Sequence, residues 1–218
     1  MPIKMLAADA IPLLKKACGK PFRELLAGHP ADLITNKGHA GQLLERYIGL
    51  SLGNTLIDFE DGELKTNKTA ANGTPLETIA VTQISTVIDQ LIGKPCTPFR
   101  QSSVYKKLEN LVVVPVVKEG DCGSWYLLDV YQIDMRKDPV LFERFEHDYH
   151  TICHGLRERV EAGEFIGTTS GHYLQVRTKD SKPYHPIRSK IYQRSISSKN
   201  YAFYLQKSFV RDILTGQI

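Results

Sequence analysis

The sequence predicts an α/β fold, a mixed central sheet flanked by helices, and three observations carry that prediction. Apolar residues recur at helical spacing through the first third of the chain and again beyond residue 138. Two short, almost wholly apolar runs, LVVVPVV at 111–117 and WYLLDVYQI at 125–133, suit buried strands. No repeat, low-complexity tract or linker interrupts the chain, and 218 residues suffice for one sizeable core rather than two ordinary domains.

The elements follow in order. Residues 11–17 and 22–26 read as helices, broken at Gly19 and Pro21 and again at Gly28 to Pro30. After the turn Asn36-Lys37-Gly38, residues 40–50 place Leu43, Leu44, Tyr47 and Ile48 on one helical face, with the break expected before Gly53-Asn54. Residues 63–68 alternate and residues 71–74 (ANGT) signal a turn, so residues 76–82 are expected to return as the second strand of a hairpin. Pro115 marks its strand as an edge or bulged one, because proline cannot donate to a ladder. Asp138-Pro139 opens the clearest helix, with Asp138 as N-cap, running to Gly163. Its buried stripe is Phe145, Tyr149, Ile152, Leu156 and Val160, which fall within about 80° on the wheel. A closing helix is expected at 208–214.

Composition narrows the function. Hydrophobic residues make up 42% and charged residues 24%, an ordinary globular balance, with no apolar run long enough to cross a bilayer. The N-terminal stretch carries charges where a secretory core would sit, so a cytoplasmic location is expected. Cys18, Cys96, Cys122 and Cys153 are far apart and unpaired by spacing, and read as reduced and structural. Charge is uneven: residues 171–218 hold nine lysines and arginines against Asp180 and Asp212, so this segment carries +7 of a chain total of +4, and the first 170 residues carry −3. Tyrosines and phenylalanines interleave those bases. A polyanion is the partner such a surface fits.

Several chemistries find no support. There is no G-x-S-x-G elbow, no phosphate-binding glycine loop, and the HDYH of the long helix lacks the H-E-x-x-H spacing of a zinc protease. His147, His150 and His154 also fall on the face opposite the buried stripe. The stretch IDFEDGELKTNK is different. Glu63 and Lys65 are two apart on a strand and leave the same face, and a turn near residues 60–62 can fold Asp58 back toward Glu63. Two carboxylates and the Leu64 backbone carbonyl would make a hard oxygen site for Mg²⁺, with Lys65 aimed at water and phosphate. That is the acid, acid-x-lysine arrangement of PD-(D/E)XK nucleases. Taken alone, the pattern favours a solvated turn and strand.

The wider blocks add a resemblance. NKGHAGQLLERYIGLSLG, DFEDGELKT, TPLETIAVT, SSVYKKLENLVVVPV, the helix from Asp138, GHYLQVRTKD and YAFYLQKSF resemble, in order, the MutH endonuclease family and its GATC-cutting type II restriction relatives. The resemblance implies the PD-(D/E)XK restriction-endonuclease-like fold over residues 1–218, with a catalytic lobe at about 1–110, a sheet-completing and DNA-recognition lobe at about 111–218, and a DNA-binding cleft between them. It implies Asp58, Glu63 and Lys65 as the catalytic core, with Glu45 as an additional acid and Lys107 as a second lysine. Lys37 and Gly38 match a DNA-contacting position, Arg177 the arginine that reads a guanine edge, and Tyr204 the tyrosine beside the target adenine, with Lys179 and Lys207 in the same blocks.

One departure stands out. The family's spacer between Asp and ELK is longer, with its glycine two residues before the Glu, whereas here Gly62 immediately precedes Glu63 and makes Asp61 a competitor of Asp58. Asp58 is retained as the expected ligand. The expected activity is Mg²⁺-dependent cleavage of double-stranded DNA at GATC, as a restriction enzyme that could act as a homodimer on DNA. The alternatives are a repair nickase stimulated by MutL and a catalytically inactive DNA-binding domain on the same fold.

Overall fold

The apolar run of residues 111–117 becomes β3 (Asn110–Val117), every residue of which is buried. In the computed structural model, which describes residues 5–27, 40–50, 56–180 and 182–218, β3 is the central strand of a four-stranded mixed sheet. β1 (Glu63–Thr69) runs parallel to it from Glu63↔Leu111 to Thr69↔Val117. On its other side, β4 (Tyr126–Leu127) and β5 (Tyr131–Asp134) run antiparallel.

The sequence anticipates one strand over 125–133, and the structure divides it. Leu127 pairs with Val116, but Tyr131 pairs with Val113, so the ladder gains a residue beside Pro115. There the Leu128 N–H donates to the Pro115 carbonyl at 3.0 Å, while the ring nitrogen of Pro115 has nothing to give back. Proline thus makes a bulge in a central strand rather than an edge.

The expected hairpin is corrected as well. Its turn forms, with the Ala70 N–H donating to the Thr74 carbonyl and the Leu76 N–H to the Lys68 carbonyl. The return strand then leaves: β2 (Ile79–Gln83) joins a second sheet of order β2-β10-β7-β6. Pro75 cannot donate to β1, and Glu77 spends its side chain on the Lys68 N–H and its carbonyl on Asn67 Nδ2.

The described chain forms two compact units, each assembled from separate segments. The first comprises Met1–Ile79, Lys107–Asp134 and Val210–Ile218. In it α1 (Ala7–Ala17) packs on β3 and α3 (Ala40–Tyr47) on β1, with the short α2 (Phe22–Leu25) beside a 3-10 turn at Cys122–Ser124. Their shared core includes Leu14, Phe22, Leu44, Leu64, Val112, Val114 and Leu127. α3 ends earlier than the sequence suggests. The Leu50 N–H reaches back to the Glu45 carbonyl at 2.8 Å and the Gly49 N–H to the Arg46 carbonyl at 3.0 Å, a Schellman closure with Gly49 at φ +84°.

The second unit comprises Ala80–Lys106 and Met135–Phe209. It contains α4 (Ile88–Ile92), a 3-10 turn at Phe99–Gln101, most of α5 (Ser103–Leu108), and α6 (Pro139–Glu161). Asp138 caps α6 as anticipated, its side chain accepting from the Leu141 N–H at 2.9 Å. The expected stripe is wholly buried and packs beneath β6 (Thr169–Ser170), β7 (Leu174–Thr178) and β10 (Tyr201–Leu205), with Tyr149 stacked on Phe203. β8 (Ile187–Ser189) and β9 (Arg194–Ser197) form a separate two-stranded ribbon. The closing helix α7 spans Lys207–Leu214. Among the described residues no helix is long and apolar enough to cross a membrane.

Candidate active site

Alternation along β1 builds the site. Leu64 points into the helical core at 4% exposure, so Glu63 and Lys65 leave the opposite face together. Lys107, near the end of α5 and just ahead of β3, reaches the same place from the neighbouring chain segment. The Glu63 carboxylate is 1% exposed. Its Oε1 accepts from Lys107 Nζ at 2.8 Å and from Lys65 Nζ. Its Oε2 is buried with no hydrogen-bond partner.

Asp58 enters from the edge of the strand. Its Oδ2 accepts from the Leu64 N–H at 2.9 Å. In an extended strand the N–H and C=O of one residue face the same edge, so the Leu64 carbonyl lies on the Asp58 side of β1. The shortened spacer achieves this by folding on itself: Phe59 buries its ring in the core, and its N–H donates to the Gly62 carbonyl at 2.9 Å. Gly62 has to be glycine for a packing reason. A Cβ there would sit 2.3 Å from the Asn110 carbonyl oxygen, where β1 and β3 begin their pairing.

Asp61, the competing acid, is engaged elsewhere. Its Oδ1 accepts from the Ala7 N–H at the start of α1, and its Oδ2 from Asn110 Nδ2, both at 2.9 Å. Asn110 in turn accepts from Gln132 Nε2 at 2.9 Å. Sequence reading missed Asn110; the available signal was a lone asparagine opening a wholly apolar run directly after YKKLE.

Electrostatics tie Glu45 to the group. It sits in the last turn of α3, where the Schellman closure on its own carbonyl fixes the helix end. Burial raises the Glu45 carboxyl above the ordinary value, and the Asp58 and Glu63 charges add to this against the pull of Lys65. The Asp58 carboxyl is raised too, first by burial, then by Glu63, with the Leu64 N–H, Lys65 and Lys107 opposing. Three carboxylates therefore feel one another's charge with two lysines opposing, and negative charge is in excess in a poorly solvated place.

That imbalance is the test of whether a cation fits. Among the described residues no three His, Cys, Asp or Glu side chains cluster as a ready metal cage. The donor set is instead two carboxylates, Asp58 and Glu63, with the Leu64 carbonyl beside them, all hard oxygens suited to Mg²⁺. The unpartnered Glu63 Oε2 supplies an unused acceptor. The residues fit the ion.

A second group lies in the other unit. Gln175 and Arg177 of β7 pair with Tyr204 and Ala202 of β10, so these four share the sheet face turned away from α6. The Arg177 guanidinium sits over the Tyr204 ring, 4.4 Å from its centroid. Lys179 and Lys207 are exposed, the first following β7 and the second opening α7. Lys37 and Gly38 lie outside the described residues. His147, His150 and His154 are exposed on α6, as the wheel required.

No family model matches the chain. The DNA mismatch repair protein MutH of Buchnera aphidicola is 25% identical over 198 residues, covering 84% of this chain and 83% of the relative. MutH proteins of Yersinia pestis and Yersinia pseudotuberculosis are 41% identical over 95 residues, covering 42% of this chain and 39% of theirs. One match runs along most of both chains and the others are closer over a shorter stretch, and on both counts this chain is similar to the MutH mismatch repair proteins.

Proposed function

We propose that the chain is a Mg²⁺-dependent endonuclease that hydrolyses phosphodiester bonds in duplex DNA at GATC, cutting both strands as a type II restriction enzyme does. The observation that carries this reading is the Glu63 carboxylate, buried, held on one oxygen by two lysines and unpartnered on the other, with Asp58 beside it. Asp58, Glu63 and the Leu64 carbonyl would hold the ion, which supplies Lewis acidity toward the scissile phosphate. Lys65 Nζ, partly exposed beside Glu63, orients the attacking water and offsets phosphate charge. Lys107 fixes Glu63 and adds a second positive charge. Glu45 orients groups at the edge of the same set. Arg177 and Tyr204 read base edges, and Lys179, Lys207, Lys37 and Gly38 contact the backbone.

A second reading, a mismatch-repair nickase that cuts one unmethylated strand and is stimulated by MutL, is favoured by the names of the relatives. One digest separates the two. Supercoiled plasmids with unmethylated, hemimethylated or fully methylated GATC sites are incubated with the protein and Mg²⁺, with and without MutL. Linear product without MutL is expected. Nicked circles that need MutL would move the assignment to repair, and intact plasmid under every condition would leave a DNA-binding domain.

A further inference from the structure

We propose that Cys96 and Cys153 form a redox-active dithiol in which His150 activates Cys96, a modification site apart from the nuclease chemistry. Cys96 follows α4, and its Sγ lies 3.5 Å from His150 Nδ1. One residue later the Thr97 carbonyl accepts from the Tyr149 hydroxyl at 3.1 Å, so this segment lies along the turn of α6 that carries Tyr149, His150 and Cys153. Residues three and four apart on a helix have Cβ atoms about 5–6 Å from each other, which places Cys153 beside both His150 and Tyr149. Cys96 is thereby set against the turn of α6 that carries Cys153.

The two thiols differ in what they can do. Cys153 is 0% exposed and burial pushes its thiol well above the ordinary value, so it is not the thiol that a peroxide in solution meets first. Cys96 is only partly buried and has an imidazole at hand. Cys96 is therefore the thiol that meets an oxidant and Cys153 the one that resolves.

With a peroxide the chemistry balances. The Cys96 thiol proton passes to His150 Nδ1, and the thiolate sulfur attacks one peroxide oxygen. A sulfur–oxygen bond forms and the oxygen–oxygen bond breaks; the departing hydroxide recovers the proton from His150 and leaves as water. Cys153 sulfur then attacks the Cys96 sulfenic acid, forming the disulfide and breaking the sulfur–oxygen bond. The departing hydroxide takes the Cys153 proton as a second water. Two thiols are oxidised by two electrons and one peroxide is reduced.

Cys18 and Cys122, in the other unit, serve as internal references. The full chain is treated with hydrogen peroxide, remaining thiols are blocked with iodoacetamide, and the digest is mapped by mass spectrometry. A Cys96–Cys153 linked peptide is expected. The Cys153→Ser variant should accumulate a Cys96 sulfenic acid that dimedone traps, and Cys96→Ser should leave Cys153 reduced. His150→Gln should slow peroxide consumption of Cys96 several-fold relative to Cys18 in the same sample. Oxidation of Cys96 no faster than Cys18 in the unaltered protein, linkage to other cysteines, or an unchanged rate in His150→Gln overturns the proposal.

Discussion

Asp58 and Glu45 are carboxylates held in a place that disfavours their charge, and this makes the proposed cation visible in stability. Both carboxyls are raised above their ordinary values by burial and by neighbouring carboxylates. A raised carboxyl binds its proton more tightly folded than unfolded, so its contribution to stability is fully present below the unfolded value and is lost as pH rises through the folded one. At neutral pH, in the absence of a divalent ion, Asp58→Asn and Glu45→Gln should therefore melt higher than the unaltered protein, since the amide oxygen introduced at position 58 can still accept from the Leu64 N–H. The gain should shrink as the pH is lowered into the carboxylate range. Added Mg²⁺ should raise the melting temperature of the unaltered protein and not of Asp58→Asn, as calorimetry can establish; an equal shift in both would remove Asp58 from the ion. For Lys65→Ala, cleavage should fall about 10²–10⁴-fold with DNA affinity changed little, measured by single-turnover digestion and fluorescence anisotropy. At this scale the sequence was informative where chemistry is local. The two-residue spacing of Glu63 and Lys65 is enough to put them on one face. The choice between Asp58 and Asp61 was not legible, because Asp61 is claimed by Ala7 and Asn110, partners 54 and 49 residues away that no local pattern names.

The same division between local and distant causes governs the elements. α6 was readable because its cap, its proline and its stripe all lie within its own sequence, and Asp138→Ala should cost about 1 kcal/mol with no effect on cleavage per folded molecule. The departure of β2 from the hairpin was not readable, since both strands alternate suitably and only Pro75 hints that the pairing stops. Gly62 links an element to the site. A methyl group at this position meets a backbone carbonyl that β1 and β3 cannot move without losing register, so Gly62→Ala should cost about 1–3 kcal/mol, or roughly 2–4 °C in melting temperature per kcal/mol. Because residue 62 lies between Asp58 and Glu63, that variant should also lose cleavage beyond its loss of folded protein, and this is what distinguishes it from Asp138→Ala in parallel melts and digests.

On the scale of the whole molecule, the catalytic candidates that the structure describes belong to one unit and the base-reading candidates to the other. What composition did convey is where the charge goes: the segment from 171 to 218 holds nine basic residues, with Arg177, Lys179 and Lys207 among them. These three should not behave alike on DNA. Lys179 is an exposed point charge, and loss of one phosphate contact should lower the salt dependence of binding by about one counterion while leaving the preference for GATC intact. Arg177 lies over the Tyr204 ring, which holds its planar fork in one orientation as a free surface arginine is not held. Arg177→Ala should therefore weaken GATC duplexes by about 1–3 kcal/mol and unrelated duplexes far less, and Tyr204→Ala, which leaves the charge but removes the platform, should reproduce part of that loss. Affinities measured for both duplexes across a salt series separate the roles: an Arg177→Ala loss equal on the two duplexes, with a reduced salt slope, would make Arg177 another phosphate contact and leave base reading to other residues.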